Sequence, residues 1–174
     1  MNLFFRRLWV ILTAAFAAKN APLDQTFTRT YRVWLTDQDM FMHMTNSRYL
    51  SFSDLARLNL LIRTGMMNAL RKNKWKLEIC AQTRTITRML KTPNAFQMSC
   101  EIEGWSDKYI AFNHEFTRRG RTHAAVNTLM RVTDEQGRAV APQLLIDTMR
   151  WVQSSPELPE PFIGLAQDLE TAAS

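Results

Sequence analysis

Cysteine, histidine and glycine are all scarce in this chain, and each shortage removes a class of explanation. Only two of the 174 residues are cysteine and three are histidine. Cys80 and Cys100 each fall in an alternating, strand-like pattern without a Cys-x-x-Cys partner, so they read as small buried hydrophobes rather than a redox pair. His43, His114 and His123 share no metal-ligand spacing, which leaves a zinc site unsupported. Five glycines and six prolines are too few for a largely disordered chain. The apolar run at residues 8–18 falls short of the roughly 20 residues a membrane-spanning helix needs. No internal repeat is visible.

What remains is a globular composition, 46% hydrophobic and 22% charged, at a length that suits one domain with a sizeable core. A net charge of +6 and a pI near 9.7 point to an anionic partner. The basic residues are scattered through strands and no nucleic-acid motif accompanies them, so nucleic acid gives way to a phosphorylated small molecule or a membrane surface. Residues 1–18, MNLFFRRLWVILTAAFAA, pair two arginines with the apolar run. Two readings stand side by side: a helix docked on the domain or making peripheral contact with a membrane, and an export signal with an Ala-rich end. The layout is then an N-terminal segment at 1–25, one domain at 26–151 and a tail at 152–174 with a short helix.

Along the domain the hydrophobic period changes once, and the change sets the fold class. Phe27, Arg29, Tyr31, Val33 and Leu35 alternate as one face of a strand, and Asp37 and Asp39 end it. An apolar helix follows at about 47–63, with Gly65 as its stop and a short second helix at 66–72. From residue 75 to 132 four stretches show period two. In the first, Leu77, Ile79, Ala81 and Met89 share one face and Arg84 and Arg88 the other. The rest are marked by Phe96, Met98, Cys100 and Ile102, by Ile110, Phe112, His114 and Phe116, and by Ala124, Val126, Thr128, Met130 and Val132. Turn signals at Ser106-Asp107, Arg119-Gly120 and Asp134 to Gly137 make them antiparallel. One strand, one buried helix and four strands make an α+β fold, an antiparallel five-stranded sheet wrapped around a long central helix.

The chemistry concentrates where the first strand meets that helix, at Thr36-Asp37-Gln38-Asp39-Met40-Phe41-Met42-His43-Met44-Thr45-Asn46-Ser47-Arg48-Tyr49-Leu50. A helix start presents unpaired amide N–H groups to the preceding loop, so a carboxylate, an imidazole and an oxyanion site fall within a few residues. The pattern Asp-x-Asp-Met-x-x-His-x-x-Asn-x-x-Tyr resembles the signature loop of hotdog-fold acyl thioesterases of the 4-hydroxybenzoyl-CoA thioesterase type, and is similar to the loop of plant acyl-ACP thioesterases. Many members have glycine where this chain has Met42, and the plant enzymes have a catalytic asparagine where it has Phe41.

The resemblance implies a hotdog fold, a homodimer or homotetramer and acyl-CoA hydrolysis without metal or bound cofactor. It assigns Asp39 as nucleophile or general base and His43 as an orienting or proton-transferring group. Asn46 is an oxyanion-side donor or the helix N-cap. Phe41 and Met42, with Met40 and Met44, suggest an adaptable acyl site. The amides of Ser47 and Arg48, with Asn46, suit the thioester oxygen. Arg88, with Lys91, Arg118, Arg119 and Arg121, is a candidate for coenzyme A phosphates. Asp37 reads as strand-end turn chemistry, Tyr49 as a core aromatic and Asp54 as a partner for Arg57. The expected location is the cytoplasm or a membrane surface. An acyl-ACP thioesterase and a non-catalytic acyl-CoA or lipid binder at a membrane are the rival readings.

Overall fold

The computed structural model describes residues 2–16, 21–151 and 155–173. The end of the N-terminal apolar run at Ala17 and Ala18, and the tail boundary at residue 152, lie outside the described residues. Five long strands form an antiparallel sheet in the spatial order β1-β3-β4-β5-β2, where β1 is Phe27–Arg32, β2 Lys76–Ile86, β3 Ala95–Trp105, β4 Ile110–Arg118 and β5 Arg121–Thr133. A sixth strand of two residues, β6 (Ala139–Val140), pairs with the end of β5 through Val132 and Thr133. The sheet wraps one face around the central helix α2 (Asn46–Arg63). Helix α1 (Asn2–Phe16) packs on α2, and α3 (Met66–Lys72) and α4 (Pro142–Thr148) follow at the far end of α2. The last helix, α5 (Glu160–Ala173), covers the opposite sheet face, where Phe162 packs on Ala111 and Leu129.

This is the wrapped-helix layout that the change of period predicts. Tyr49, Phe52, Leu55, Ala56 and Leu60 bury one side of α2, and Leu61 widens it. Their partners are the inward residues of the sheet, with Phe96, Phe112 and Phe116 fully enclosed. Ring centroids 5.1–5.6 Å apart link Tyr49 to Phe116, Phe116 to Phe96 and Phe96 to Phe52. Gly65 follows α2 at φ +80, a backbone that glycine adopts without cost. The β4–β5 turn places both Arg119 and Gly120 at positive φ, the form that suits a two-residue hairpin.

Two expectations need correction. The first strand stops at Arg32, and Leu35 belongs to a short 3-10 turn, Leu35–Asp37, with its side chain exposed. The Asp37 carboxylate accepts the Trp34 N–H at 2.9 Å and curls the chain out of the sheet. The second concerns β2, whose register against β5 shifts between Ile79 and Ala81. Residues directly opposite each other share a sheet face. Leu77 and Ile79 lie opposite Val132 and Met130, whereas beyond the bulge Gln82, Arg84 and Ile86 lie opposite Thr128, Val126 and Ala124. All five of those β5 side chains point inward and are buried, so the bulge at Cys80 turns Ala81 outward and Arg84 inward, the reverse of plain alternation.

Cys100 is fully buried and Cys80 half-buried; both are free thiols, and burial pushes both thiols above their ordinary range. His114 lies opposite Cys100 in the same core. Its Nδ1–H donates to the Val126 carbonyl at 3.0 Å. Burial, and after it the charge of Arg57, lowers the imidazole to about 3, against the Val126 carbonyl, which favours the protonated ring. The unfolded ring titrates near 6.5, so between pH 6.5 and 3 the unfolded chain binds a proton that the folded one excludes. Stability is then complete above about pH 6.5 and falls on acidification by up to about 1.4 kcal/mol per pH unit. His123, lowered chiefly by burial, acts in the same direction. His114→Gln should flatten the fall in Tm between pH 7 and pH 5. An equal slope in variant and parent would locate the acid sensitivity elsewhere.

Candidate active site

The loop that carries the site hangs from Asp37, whose carboxylate is completely buried. Arg6 of α1 donates two hydrogen bonds to it, at 2.7 and 3.1 Å, and Arg48 of α2 lies 3.4 Å away. The Asp37 carbonyl accepts the Thr45 N–H at 2.9 Å, just before α2 begins. Asp37 is therefore the ionic centre that joins three elements, which is more than strand-end turn chemistry. Arg48 is committed to this role, its guanidinium also donating to the Thr36 carbonyl and its amide to the Thr45 carbonyl. That removes both its side chain and its N–H from the substrate-binding set. Thr45 occupies the N-cap position expected of Asn46, and Asn46 is the first helical residue. The amides of Asn46 and Ser47 are in the first turn, where an α-helix supplies no acceptor of its own.

Asp39 and His43 face each other across a tight loop. The Asp39 N–H donates to the His43 carbonyl at 2.8 Å, and Asp39 Oδ1 accepts the N–H groups of Phe41 and His43 at 2.9 and 3.2 Å. Both bonds go to Oδ1, and Oδ2 has no hydrogen-bond partner among the described residues. Asp39 is exposed and His43 half-buried. At the tip, Met40, Phe41 and Met42 are 87%, 71% and 59% exposed, whereas Met44 is buried in the core and drops out of the acyl site. Met42 has φ +60, a left-handed conformation that costs an L-residue roughly 1–2 kcal/mol. Glycine escapes that cost, which accounts for its frequency here in related loops.

The segment after β2 holds this loop from below. The Leu90 carbonyl accepts the Met44 N–H at 2.7 Å, its N–H donates to the Tyr49 hydroxyl at 3.2 Å, and Lys91 bridges to His43. Tyr49 thus adds a positioning bond to its place in the core. Three further features line up along β2. Leu77 and Ile79 border a groove of about 690 Å³ where α1, α2 and the strand meet, with Leu55, Leu58 and Leu61 on its apolar side and the charged Arg7, Asp54, Arg57 and Glu78 also in its lining. Arg84 donates to the Asn46 carbonyl at 2.9 Å, which sets a guanidinium at the start of α2. Arg88 then joins Arg118, Arg119, Arg121 and His123 around a cavity of about 450 Å³. Four of the five proposed phosphate-binding residues are gathered there. The expected Asp54–Arg57 pair is present as a direct ion pair.

Residues 33–162 match the family model described as the thioesterase-like superfamily. The chain belongs to that superfamily. Among curated proteins this thioesterase-like chain is 30% identical over 119 residues to Protein THEM6 of Danio rerio, an alignment covering 67% of the chain and 57% of that relative. It therefore spans little more than half the relative's length. A probable thioesterase of Escherichia coli superposes with a TM-score of 0.67 at 16% identity, covering 71% of this chain and 96% of the other. A Staphylococcus aureus protein solved in complex with CoA gives 0.64 at 19%, covering 83% and 96%. These neighbours confirm the hotdog fold.

In this thioesterase-like chain sequence reasoning missed Arg84, because a bulge leaves no mark on hydrophobic alternation, and it undervalued Asp37, whose partner Arg6 is 31 residues away. The second omission is open to direct measurement. Asp37→Asn leaves two guanidiniums facing an uncharged amide, and removing one member of a buried ion pair costs about 3 kcal/mol. For a domain of this size Tm should fall by roughly 6–12 °C. Lys74→Gln, which breaks the exposed Lys74–Glu135 pair, should leave Tm within error. Equal melts for the two variants would show that Asp37 does not hold the loop.

Proposed function

We propose that the protein hydrolyses acyl-CoA thioesters, releasing the free acid and CoA. The observation that carries this reading is the order of features along β2 and its continuation: a groove whose apolar side is Leu77, Ile79 and the leucines of α2, a cationic helix start at Arg84 and an arginine-lined cavity at Arg88. β2 ends at Ile86 and the chain bends at Thr87 and Arg88, whose N–H groups both donate to the His123 carbonyl, so Arg88 sits just past the end of the strand that carries Arg84. An acyl chain in the groove, a thioester carbonyl at the amides of Asn46 and Ser47, and nucleotide phosphates among the arginines fit that order. The CoA complex of the Staphylococcus aureus neighbour supports the same ligand class.

In this reading Asp39 is the reacting carboxylate, and its free Oδ2 attacks the carbonyl carbon or takes a proton from the attacking water. Charge developing on the thioester oxygen meets the first amides of α2, with Arg84 close by. Collapse expels the CoA thiolate; where water was the nucleophile the free acid is released directly, and where Asp39 attacked, water then opens the acyl-Asp39 anhydride, releasing the acid and restoring the carboxylate. His43, fixed by its backbone bonds to Asp39 and its bridge to Lys91, orients the substrate.

Asp39→Asn keeps an oxygen that accepts the Phe41 and His43 N–H groups, so the loop survives while the carboxylate chemistry is lost. The variant should lose two to four orders of magnitude in kcat/KM across an acyl-CoA panel. Arg88→Gln with Arg118→Gln should instead raise KM for CoA substrates at nearly constant kcat. Near-parental turnover in Asp39→Asn would remove the carboxylate from the mechanism. Activity on acyl-ACP alone would transfer the site to the carrier-protein rival, and binding without turnover would favour the acyl-CoA or lipid binder.

Assembly follows from the edge of the sheet. β2 is an 11-residue edge strand paired only with β5 among the described residues, and such an edge invites a partner strand. A homodimer or homotetramer in which two copies meet along β2 would close it and border the groove. Light scattering at micromolar concentration should give at least twice the chain mass of 20.3 kDa. A fully active monomer would count against the shared edge.

A further inference from the structure

We infer that α1 docks the protein on a lipid surface, lying in the plane of the membrane with its outward face in the headgroup region. The amphipathicity of this helix runs the wrong way for a helix facing water. Arg6 and Thr13 turn inward: Arg6 grips Asp37, and Thr13 accepts a hydrogen bond from Arg29 on β1, with Val10 and Ala14 buried beside them. Its outer side carries Phe4, Phe5, Leu8, Trp9, Ile11, Leu12 and Phe16, all exposed. At about 100° per residue these seven cover roughly half of the helix circumference.

Apolar patches of this extent on a protein surface mark an interaction site. Three observations select lipid over a second copy of the chain. Protein interfaces ring an apolar centre with hydrogen-bonding groups, whereas this face offers none from Phe4 to Phe16 except the Trp9 indole N–H. Aromatic rings on an apolar helix with an arginine at its border, here the exposed Arg7, suit the headgroup boundary, and the net charge of +6 suits anionic lipids. Further exposed apolar side chains stand on the element that Arg6 joins to α1. Trp34 and Leu35, 56% and 69% exposed, project from the turn that Arg6 holds. The helix is about 22 Å long at 1.5 Å per residue, and no helix among the described residues is long and apolar enough to cross a bilayer.

The test is vesicle flotation of the full chain with phosphatidylcholine vesicles, with and without phosphatidylserine. The parent should float, more strongly with the anionic lipid. Leu8→Glu with Leu12→Glu should lower the partition coefficient at least about tenfold, while Leu144→Glu, at an exposed leucine on α4, should match the parent. A second readout uses quenching by brominated phospholipids: the parent's tryptophan fluorescence should be quenched, and Trp9→Phe should remove a large share of that quenching. A parent that binds neither vesicle, or a Leu8/Leu12 variant that floats unchanged, overturns the inference. So does a variant whose only change is the break-up of an oligomer, since a second copy would then be the occupant. None of these readouts requires turnover, so failure here leaves the hydrolysis reading standing, and the reverse.

Discussion

A single carboxylate enclosed by two guanidiniums holds the working end of this molecule in place. Asp37 has no solvent contact, and Arg6, Arg48 and the Trp34 N–H converge on it from α1, α2 and the end of β1. A buried ion pair adds little net stability after desolvation, but it tolerates few geometries. Here it fixes the exit from the sheet, the entry into the central helix and the seating of the N-terminal helix with one set of contacts. The loop between, with Asp39 and His43, inherits its position from both ends. The exposed tip at Met40, Phe41 and Met42 can then be apolar and strained without the rest of the loop moving.

The same centre ties the proposed hydrolytic site to the proposed membrane face. Arg6 belongs to α1, and its guanidinium also stacks over Phe52 of α2 at 4.8 Å. A helix seated on lipid would hold the Asp39 loop at the bilayer boundary, within reach of amphiphiles that partition there. Substrate capture and surface attachment would then be two uses of one short stretch of chain.

Most of the fold was legible because its elements are half-buried, and half-burial writes its period into the residues. α2, α3 and the three strands β3, β4 and β5 fall where alternation and helical spacing place them, and the Arg119-Gly120 and Asp134 to Gly137 turns were marked by their own chemistry. The failures share a cause: each depends on a contact between distant residues. The bulge at Cys80 exists only relative to β5, so Arg84 looked like a solvent-facing residue. Arg48 looked free for a ligand because Asp37 looked like a turn residue. In the site, Asp39, His43 and the arginine group could be named from motif and charge, and three of the four arginines lie within one hairpin. The fourth, Arg88, reaches them through the meeting of its own N–H and the His123 carbonyl.

The strand order has a kinetic side. β2 follows α2 and α3 in the chain yet lies at the edge of the sheet against β5, with Lys76 opposite Thr133 and Ile86 opposite Ala124. The β3–β4–β5 meander closes through short turns, whereas β2 must wait for a strand made much later in synthesis and close a long loop to reach it. The strand that borders the groove, carries Arg84 and leads to Arg88 thus has no partner in the sheet until β5 has been made. The surface proposed to bind substrate is therefore completed only with the last of the long strands, and no shorter piece of the nascent chain can display it.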